Sequence, residues 1–428
     1  MSEPVIGFAG LTHLGLVSAA AAAARGFDVI AFDPDRARVA SIARGELPVV
    51  EPDLPQRLDK HRDRLTCTAD VAALARCDVV YVAPDVPTDE ASASDLAPVR
   101  TLFEMVAGAV ASEAVLVVLS QVPPGFTRSL PGPAERRFYQ VETLIFGRAV
   151  DRALHPERFI LGCAEPSLPL PPSLATYLGA FGCPVLPMRY ESAELAKISI
   201  NVCLVASVSA ANILAEVCER VGADWSEIVP ALRLDRRIGP AAYLAPGLGI
   251  AGGNLERDLA TVCRLAEQHG TEAAVVRAWL ADSEYRRDWA LRQIHARVLT
   301  RVADPTLAVL GLAYKENTAS TKNSASLALL AALAPFRVRV YDPSVAPRPE
   351  FHPQLAAAAT PLEACAGGDA LIVMTPWDEF RALRADAIAA RLRGRTVIDP
   401  YRVLDAAACL AAGLDLVVLG APAREAPP

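Results

Sequence analysis

The chain has 428 residues, 52% hydrophobic and 21% charged, which is enough apolar material for two or three globular domains. Its formal net charge of -7 argues against a nucleic-acid-binding protein, which usually carries a basic patch. The nine cysteines are scattered, without CxxC pairs or His/Cys clusters, so we expect a reduced, cytoplasmic protein with no metal site. We expect neither a secretory signal nor a membrane span, since the Ala-rich run 18–24 is too short to cross a bilayer.

Strands and helices alternate over the first 188 residues or so. Short apolar runs predict strands at 5–9, 28–33, 78–83, 114–120 and 183–188, with a helix at 15–25. This alternation predicts a parallel, doubly wound sheet. A long helix is expected from 191 to about 221, with more helix over 256–299. A second alternating region has predicted strands at 307–311, 337–342, 370–375, 396–399 and 416–419.

The first predicted strand leads into a glycine-containing turn, Gly7-Phe8-Ala9-Gly10-Leu11-Thr12-His13-Leu14-Gly15. Gly10, Thr12 and Gly15 occupy the three positions of a dinucleotide fingerprint, with threonine in place of the middle glycine. The Thr12 side chain would shift or weaken the cofactor, although its hydroxyl could donate to a phosphate. Asp33 ends the second strand and favours NAD over NADP, because a carboxylate accepts bonds from a ribose diol and repels a 2′-phosphate. The alternative is an ordinary βαβ unit that binds no dinucleotide.

Two later segments combine polar groups with spacings suited to chemistry. Lys197 and Asn201 are four residues apart on a predicted helix and therefore share one face. Cationic and amide donors on such a face would stabilise an alkoxide, whereas a simple surface Glu–Lys pair with Glu194 is the alternative. The loop 246–258 contains glycines at 247, 249, 252 and 253, which would let backbone amides approach a phosphosugar; a flexible surface loop is its alternative.

Taken in order, these motifs resemble those of the UDP-glucose/GDP-mannose dehydrogenase family over residues 5 to about 405. The resemblance also includes Ser120-Gln121-Val122-Pro123, Glu142-Thr143-Leu144 and Trp377-Asp378-Glu379-Phe380. It implies the α/β class, with two Rossmann-like doubly wound domains joined by a helical central region. The implied domains are residues 1–188 for NAD, 189–300 for dimerisation and 301–428 for the nucleotide sugar. A cytoplasmic homodimer that binds NAD and a nucleotide sugar is therefore expected.

The resemblance implies a role for each matching residue. Lys197 and Asn201 would contact the oxygen of the reacting sugar carbon, and Asp258 would share a water with the lysine as a general base. Glu142 matches a glutamate that assists thioester hydrolysis, although by itself it would pass for a solvated carboxylate. Asn254 stands in place of the nucleophilic cysteine of the family, and Gln121 replaces a threonine that helps to hold the catalytic water.

The resemblance also implies two binding sets. The cofactor set is Gly7, Gly10, Thr12, His13, Leu14, Gly15, Asp33, Gln121 and Lys322. The substrate set is Arg237, Gly247, Gly249, Gly252, Lys315 and Arg402. In it, Arg237 would reach the substrate of a neighbouring subunit, Lys315 would touch the sugar and Arg402 would bind a diphosphate.

A carboxamide at position 254 cannot form the thiohemiacetal and thioester through which the family converts an alcohol into an acid. The retained residues Lys197, Asn201 and Asp258 serve the first oxidation, and the missing thiol serves the second. We therefore predict one two-electron oxidation of a nucleotide sugar to a ketone or aldehyde. Three alternatives stay open: an epimerase that oxidises transiently, a thiol-independent acid-forming dehydrogenase with Glu142 as base, and a non-catalytic nucleotide-sugar-binding protein.

Overall fold

The computed structural model describes residues 3–87, 89 and 94–427. The chain forms two compact units, Met1–Ile200 and Asn201–Pro428. The predicted boundaries of three domains, at 188/189 and 300/301, stay a prediction.

The first unit is built on an eight-stranded sheet. Its strands are β1 (Ile6–Ala9), β2 (Val29–Phe32), β3 (Leu65–Thr68), β4 (Val79–Val82), β5 (Val115–Val118), β6 (Arg137–Gln140), β7 (Phe159–Cys163) and β8 (Val185–Arg189). The spatial order is β3-β2-β1-β4-β5-β6-β7-β8, and every pair is parallel except β6–β7. The central strands β1, β2, β4 and β5 are buried along their whole length, as in a parallel sheet covered on both faces.

Helices cover both faces of this sheet. They are α1 (His13–Ala24), α2 (Arg36–Ala43), α3 (Leu54–Lys60), α4 (Ala97–Ala107), α5 (Ala149–Leu154) and α6 (Pro172–Gly179). Successive residues of β1 point to opposite faces. Phe8 belongs to the apolar cluster that contains Leu16 of α1, and Ala9 belongs to the cluster that contains Phe103 of α4. The two clusters are the two core layers of a doubly wound fold.

The 32-residue helix α7 (Tyr190–Val221) ends the first unit and begins the second. It is long and apolar enough to cross a membrane by length and composition alone, a criterion that core helices also meet. In the second unit its side chains Ile213, Leu214, Val217 and Val221 are exposed. Their exposure supports the expected homodimer, which stays a prediction. The expected absence of a membrane span and the expected cytoplasmic location also stay predictions.

The rest of the helical region is divided into shorter helices. They are α8 (Trp225–Leu234), α9 (Asn254–His269), α10 (Ala274–Arg287) and α11 (Trp289–Ile294), followed by a π-helical turn at His295–Leu299. The helical region expected over 256–299 is therefore divided into several helices. Gly270, in the left-handed conformation with φ 67°, ends α9.

A six-stranded sheet completes the second unit. Its strands are β9 (Thr306–Leu310), β10 (Arg337–Tyr341), β11 (Leu355–Ala357), β12 (Ala370–Val373), β13 (Thr396–Ile398) and β14 (Asp415–Val417), in the order β11-β10-β9-β12-β13-β14 and parallel throughout. Its helices are α12 (Ala325–Ala332), α13 (Pro361–Cys365), α14 (Asp378–Arg381), α15 (Ala385–Ala389) and α16 (Ala406–Ala411). The expected fold class, with two doubly wound sheets separated in sequence by helices, is confirmed.

Candidate functional site

The turn between β1 and α1 has the close geometry that the fingerprint predicts. Gly10 has φ 93°, and a Cβ on Gly15 would lie only 1.8 Å from the carbonyl oxygen of Gly10. A side chain at position 15 would therefore push the helix away from the strand. Thr12 is extended, and its hydroxyl oxygen accepts the N–H of Asp85 at 2.9 Å. The Asp85 carboxylate accepts the N–H of His13 at 3.3 Å.

Asp33 lies directly after β2, as expected, and is fully buried. One carboxylate oxygen accepts the N–H of Leu11 at 2.7 Å, the other accepts the N–H of Asp35 at 2.9 Å, and Arg38 donates to both at 2.8 Å. A carboxylate has about four acceptor positions, so these bonds fill Asp33 from within the chain. A ribose hydroxyl at Asp33 would therefore have to displace the bonds from Arg38. Arg38 was not recognised from the sequence.

A buried carboxylate, Glu51, joins the fingerprint turn to the segment that carries Glu142. It lies 3.0 Å from His13 Nε2 and accepts the N–H groups of Gly147 at 2.9 Å and Ala149 at 3.2 Å. The ring of Phe146 stacks on His13, with centroids 4.1 Å apart. Burial works against the charged form of Glu51, but the bonds from His13 and the two N–H groups hold its pKa below the usual value.

Replacing Glu51 with glutamine should destabilise the first unit. A carboxamide has one acceptor oxygen where Glu51 uses two, so at least one buried donor loses its partner, at a cost of about 1–3 kcal/mol. Because the pKa of Glu51 is lowered on folding, its charge stabilises above the unfolded pKa of about 4.3 and this stabilisation is lost as the pH falls through the folded value. Thermal midpoints should therefore differ clearly at pH 7 and converge as the pH falls below the lowered folded-state pKa of Glu51.

Glu46→Gln is the matched control for that measurement. Glu46 is exposed and pairs with Arg44 on the surface, so its replacement should leave the midpoint nearly unchanged. An equal effect of the two substitutions at pH 7 would contradict the structural role of Glu51.

Lys197 and Glu142 form an ion pair within the first unit. Lys197 Nζ lies 3.2 Å from a Glu142 carboxylate oxygen, and the side chains are 12% and 18% exposed. The other Glu142 oxygen accepts the N–H of Leu144. The ammonium is thus held in a largely enclosed position, where it acts on a nearby oxygen more strongly than at an exposed surface.

Glu194, three residues before Lys197, has a separate task. It is fully buried and accepts the N–H groups of Gly125 at 2.6 Å and Thr127 at 2.8 Å. Burial raises the pKa of Glu194 against the opposing effect of these donors. Glu194 therefore anchors the turn after β5, which contains Gln121, to α7, a role that sequence reasoning did not assign.

In the second unit, Asp258 is the centre of a buried polar group. Asn201, the first residue of this unit, donates its amide N–H to the Asp258 carboxylate, and Arg257 Nε lies 3.5 Å from the same carboxylate. All three residues are buried. Lys197 and Asn201 are one turn apart in α7, at the end of one unit and the start of the other.

Asn254 is exposed at the first position of α9, directly after Gly253, which has φ 87°. A Cβ on Gly252 would lie 2.6 Å from the Tyr314 ring, and one on Gly253 would lie 2.8 Å from Lys322 Cε. Only glycines allow this close approach. The flexible-loop alternative is disfavoured, because the 314–322 segment packs directly on the loop.

The remaining predicted binding residues have these positions. The N–H of Gly247 donates to the Asn212 side chain at 2.8 Å, and the N–H of Gly252 donates to the Lys322 carbonyl at 3.0 Å. Gly249 packs against Ser283. Lys315 Nζ lies 5.6 Å from the Tyr314 ring centroid. Arg237 is 89% exposed and pairs with Asp235 at 2.6 Å, and Arg402 pairs with Asp224 at 2.8 Å. Two glycine amides and both arginines thus have partners within the chain. Their contacts with a substrate stay predictions.

Within residues 3–87, 89 and 94–427, no group of three or more His, Cys, Asp or Glu side chains could hold a metal ion.

Family profiles match the chain along most of its length. Residues 5–168 match the UDP-glucose/GDP-mannose dehydrogenase family NAD binding domain, residues 191–283 its central domain and residues 308–406 its UDP binding domain. The chain belongs to the UDP-glucose/GDP-mannose dehydrogenase family. It is thus an NAD-dependent oxidoreductase that acts on a CH–OH group.

Individual family members agree with this assignment. A UDP-glucose 6-dehydrogenase of Pseudomonas aeruginosa is 32% identical over 91% of both chains, and AglM, a UDP-glucose 6-dehydrogenase of Haloferax volcanii, is 30% identical over 92% of this chain and 96% of its own. The structure of a UDP-glucose dehydrogenase from Pyrobaculum islandicum superposes with a TM-score of 0.82 at 25% identity, covering 95% of this chain and 98% of the other. The fold of this family member is that of solved nucleotide-sugar dehydrogenases.

The residues of the first unit fit the NAD of the family. The close turn at Gly10 and Gly15 brings the N-terminus of α1 beside β1, where backbone N–H groups suit a pyrophosphate. Asp33 follows β2, where a carboxylate suits a ribose. Thr12 adds a side chain to this turn, and Arg38 donates to the carboxylate of Asp33. The close turn, the helix N-terminus and the carboxylate are nevertheless all present.

Proposed function

We propose that this family member performs one two-electron oxidation of a nucleotide sugar, to a ketone or aldehyde, without a thiol intermediate. The observation that carries the proposal is Asn254, which begins α9 in the glycine loop where the family resemblance calls for the nucleophilic cysteine. A carboxamide does not add to an aldehyde to form a thiohemiacetal equivalent. The sequence Arg257-Asp258 and the buried Asn201–Asp258 bond are retained in the same unit.

In the proposed reaction a CH–OH group becomes C=O and one proton leaves the hydroxyl; NAD, when bound, would supply the acceptor for the other hydrogen and its two electrons. Lys197 stabilises the alkoxide that develops on the sugar oxygen, because its ammonium is held in a largely enclosed position beside Glu142. Asn201 uses one amide N–H on Asp258 and has a second for the same sugar oxygen. Asp258, with a water, receives the hydroxyl proton.

A UDP-sugar is the proposed substrate class. Its support is the matched UDP binding domain at residues 308–406 and the names of the relatives from P. aeruginosa and H. volcanii. Because a ketone cannot be oxidised onward to an acid, a secondary alcohol of the sugar suits an enzyme without the thiol.

Counting reduced cofactor against sugar consumed tests the proposal. A panel of UDP- and GDP-sugars is incubated with excess NAD, NADH is measured by absorbance and the sugar products by mass spectrometry. We expect one NADH per sugar. Two NADH with a uronic acid would identify the thiol-independent acid-forming alternative, and isomerised sugar with no net NADH would identify the epimerase. If no sugar in the panel reacts or binds, the oxidation proposal is wrong.

A further inference from the structure

Asp85 is tied to the start of α1 by two reciprocal hydrogen bonds. Its N–H donates to the Thr12 hydroxyl oxygen at 2.9 Å, and its carboxylate accepts the N–H of His13 at 3.3 Å. In an ordinary capped helix the Thr12 hydroxyl would accept an N–H from the first turn of its own helix, but it makes no such bond here. A residue 73 positions away in the chain therefore supplies the cap.

The place that Asp85 occupies, at the N-terminus of α1, suits an anion. The first N–H groups of a helix point outward, and together with the helix dipole they favour a negative charge. The first turn of α1 contains no acidic residue, so the carboxylate of Asp85 comes from outside the helix. In a dinucleotide-binding fold the same N–H groups face the pyrophosphate.

We propose that Asp85 is an affinity-determining residue of the cofactor site, a carboxylate of the chain that competes with the dinucleotide pyrophosphate for the N-terminus of α1. The pyrophosphate is anionic, so it binds beside His13 only after the Asp85 carboxylate has moved away. Thr12 strengthens the competition because its hydroxyl holds the Asp85 backbone in place. The threonine that replaces the middle glycine of the fingerprint therefore weakens cofactor binding in two ways. It holds Asp85 in place, and its own side chain takes up space in the turn.

This competition has a consequence for turnover. An epimerase that oxidises and re-reduces one sugar has to retain its cofactor, whereas a net dehydrogenase has to release NADH and bind NAD in every cycle. Because the Asp85 carboxylate occupies the pyrophosphate position, it weakens cofactor binding. Weaker binding suits a net dehydrogenase, which has to exchange its cofactor in every cycle. The inference deepens the proposed function and rests on it only in this consequence, since cofactor binding itself is measured without any sugar.

The test is the affinity of the full chain for NAD, ADP-ribose and adenosine, measured by isothermal titration calorimetry. Asp85→Asn keeps the size of the side chain and removes its charge. We expect it to bind NAD and ADP-ribose on the order of tenfold more tightly than the unmodified chain, because carboxylate–pyrophosphate repulsion is removed. Adenosine has no phosphate, so its affinity should not change.

Two further variants control this experiment. Asp63→Asn removes one exposed carboxylate elsewhere in the same unit and should leave all three affinities unchanged. Thr12→Gly releases the Asp85 backbone and should also tighten NAD binding. In the double variant Thr12→Gly/Asp85→Asn, the gain in NAD affinity should be smaller than the product of the two separate gains. Unchanged or weaker ADP-ribose binding in Asp85→Asn would overturn the proposal, whatever Thr12→Gly does, as would an equal gain for adenosine.

Discussion

Replacing Lys197 with alanine should reduce sugar oxidation by about 100- to 1000-fold, the usual effect of removing a donor that stabilises developing oxygen charge. Lys197 is 12% exposed and lies 3.2 Å from Glu142, so its charge acts in an environment where water screens it little. The loss should appear in kcat, because the interaction is strongest when the sugar oxygen becomes an alkoxide. Initial rates of NADH formation with the substrate found in the panel measure it.

Lys60→Ala is the control for this variant. Lys60 is exposed at the end of α3 in the same unit, and its replacement removes the same charge without touching Glu142. NAD affinity should stay unchanged in both variants, since Lys197 pairs with Glu142 and not with the fingerprint turn. Turnover of Lys197→Ala within tenfold of the unmodified chain would refute the role assigned to this lysine.

Most of the strands that the sequence predicted are uninterrupted apolar runs, although the alternating strand β10 was also predicted and the apolar, fully buried strand β7 was not. Strands such as β1 and β12 are apolar and fully buried, so composition alone identifies them. The strands β3, β6, β7 and β11 were not predicted. β6 contains Arg137, whose buried guanidinium donates to the carbonyl oxygens of Leu130 and Gly132, and a charge in a buried strand hides the strand from apolar patterning.

In the candidate site, features that depend on residues close together in the sequence were predicted, whereas partners far apart in the sequence were not. The spacing of Lys197 and Asn201 and the order of the glycines are local, and both side chains lie on α7, within the helix expected from 191 to about 221. The partners that define the environment are distant: Glu51 is 38 residues from His13, Asp85 is 73 from Thr12, and Glu194 is 67 from Thr127. No spacing rule connects such pairs, because the sheet topology brings them together.

Replacing Asn254 with cysteine should return a reactive thiol to the site. Position 254 is exposed at the first turn of α9, next to Gly253, on which the Lys322 side chain packs. A helix N-terminus and a neighbouring ammonium both favour the thiolate and lower the pKa of a cysteine. Brief treatment with iodoacetamide at pH 7, followed by peptide mass spectrometry, should show modification at 254 on the order of tenfold faster than at Cys203, the exposed native cysteine.

The same variant tests whether Asn254 alone limits the reaction to one oxidation. With a nucleotide sugar that carries a primary alcohol, a thiol can trap the aldehyde, so Asn254→Cys should raise the NADH formed per sugar from one towards two. Asn254→Ser, which introduces a polar group without a thiol, should stay at one. If the cysteine variant alkylates rapidly and still forms one NADH, Asn254 is not the sole limit. The block would then lie at Gln121, in the turn that Glu194 anchors, because hydrolysis of the thioester also needs a correctly held water.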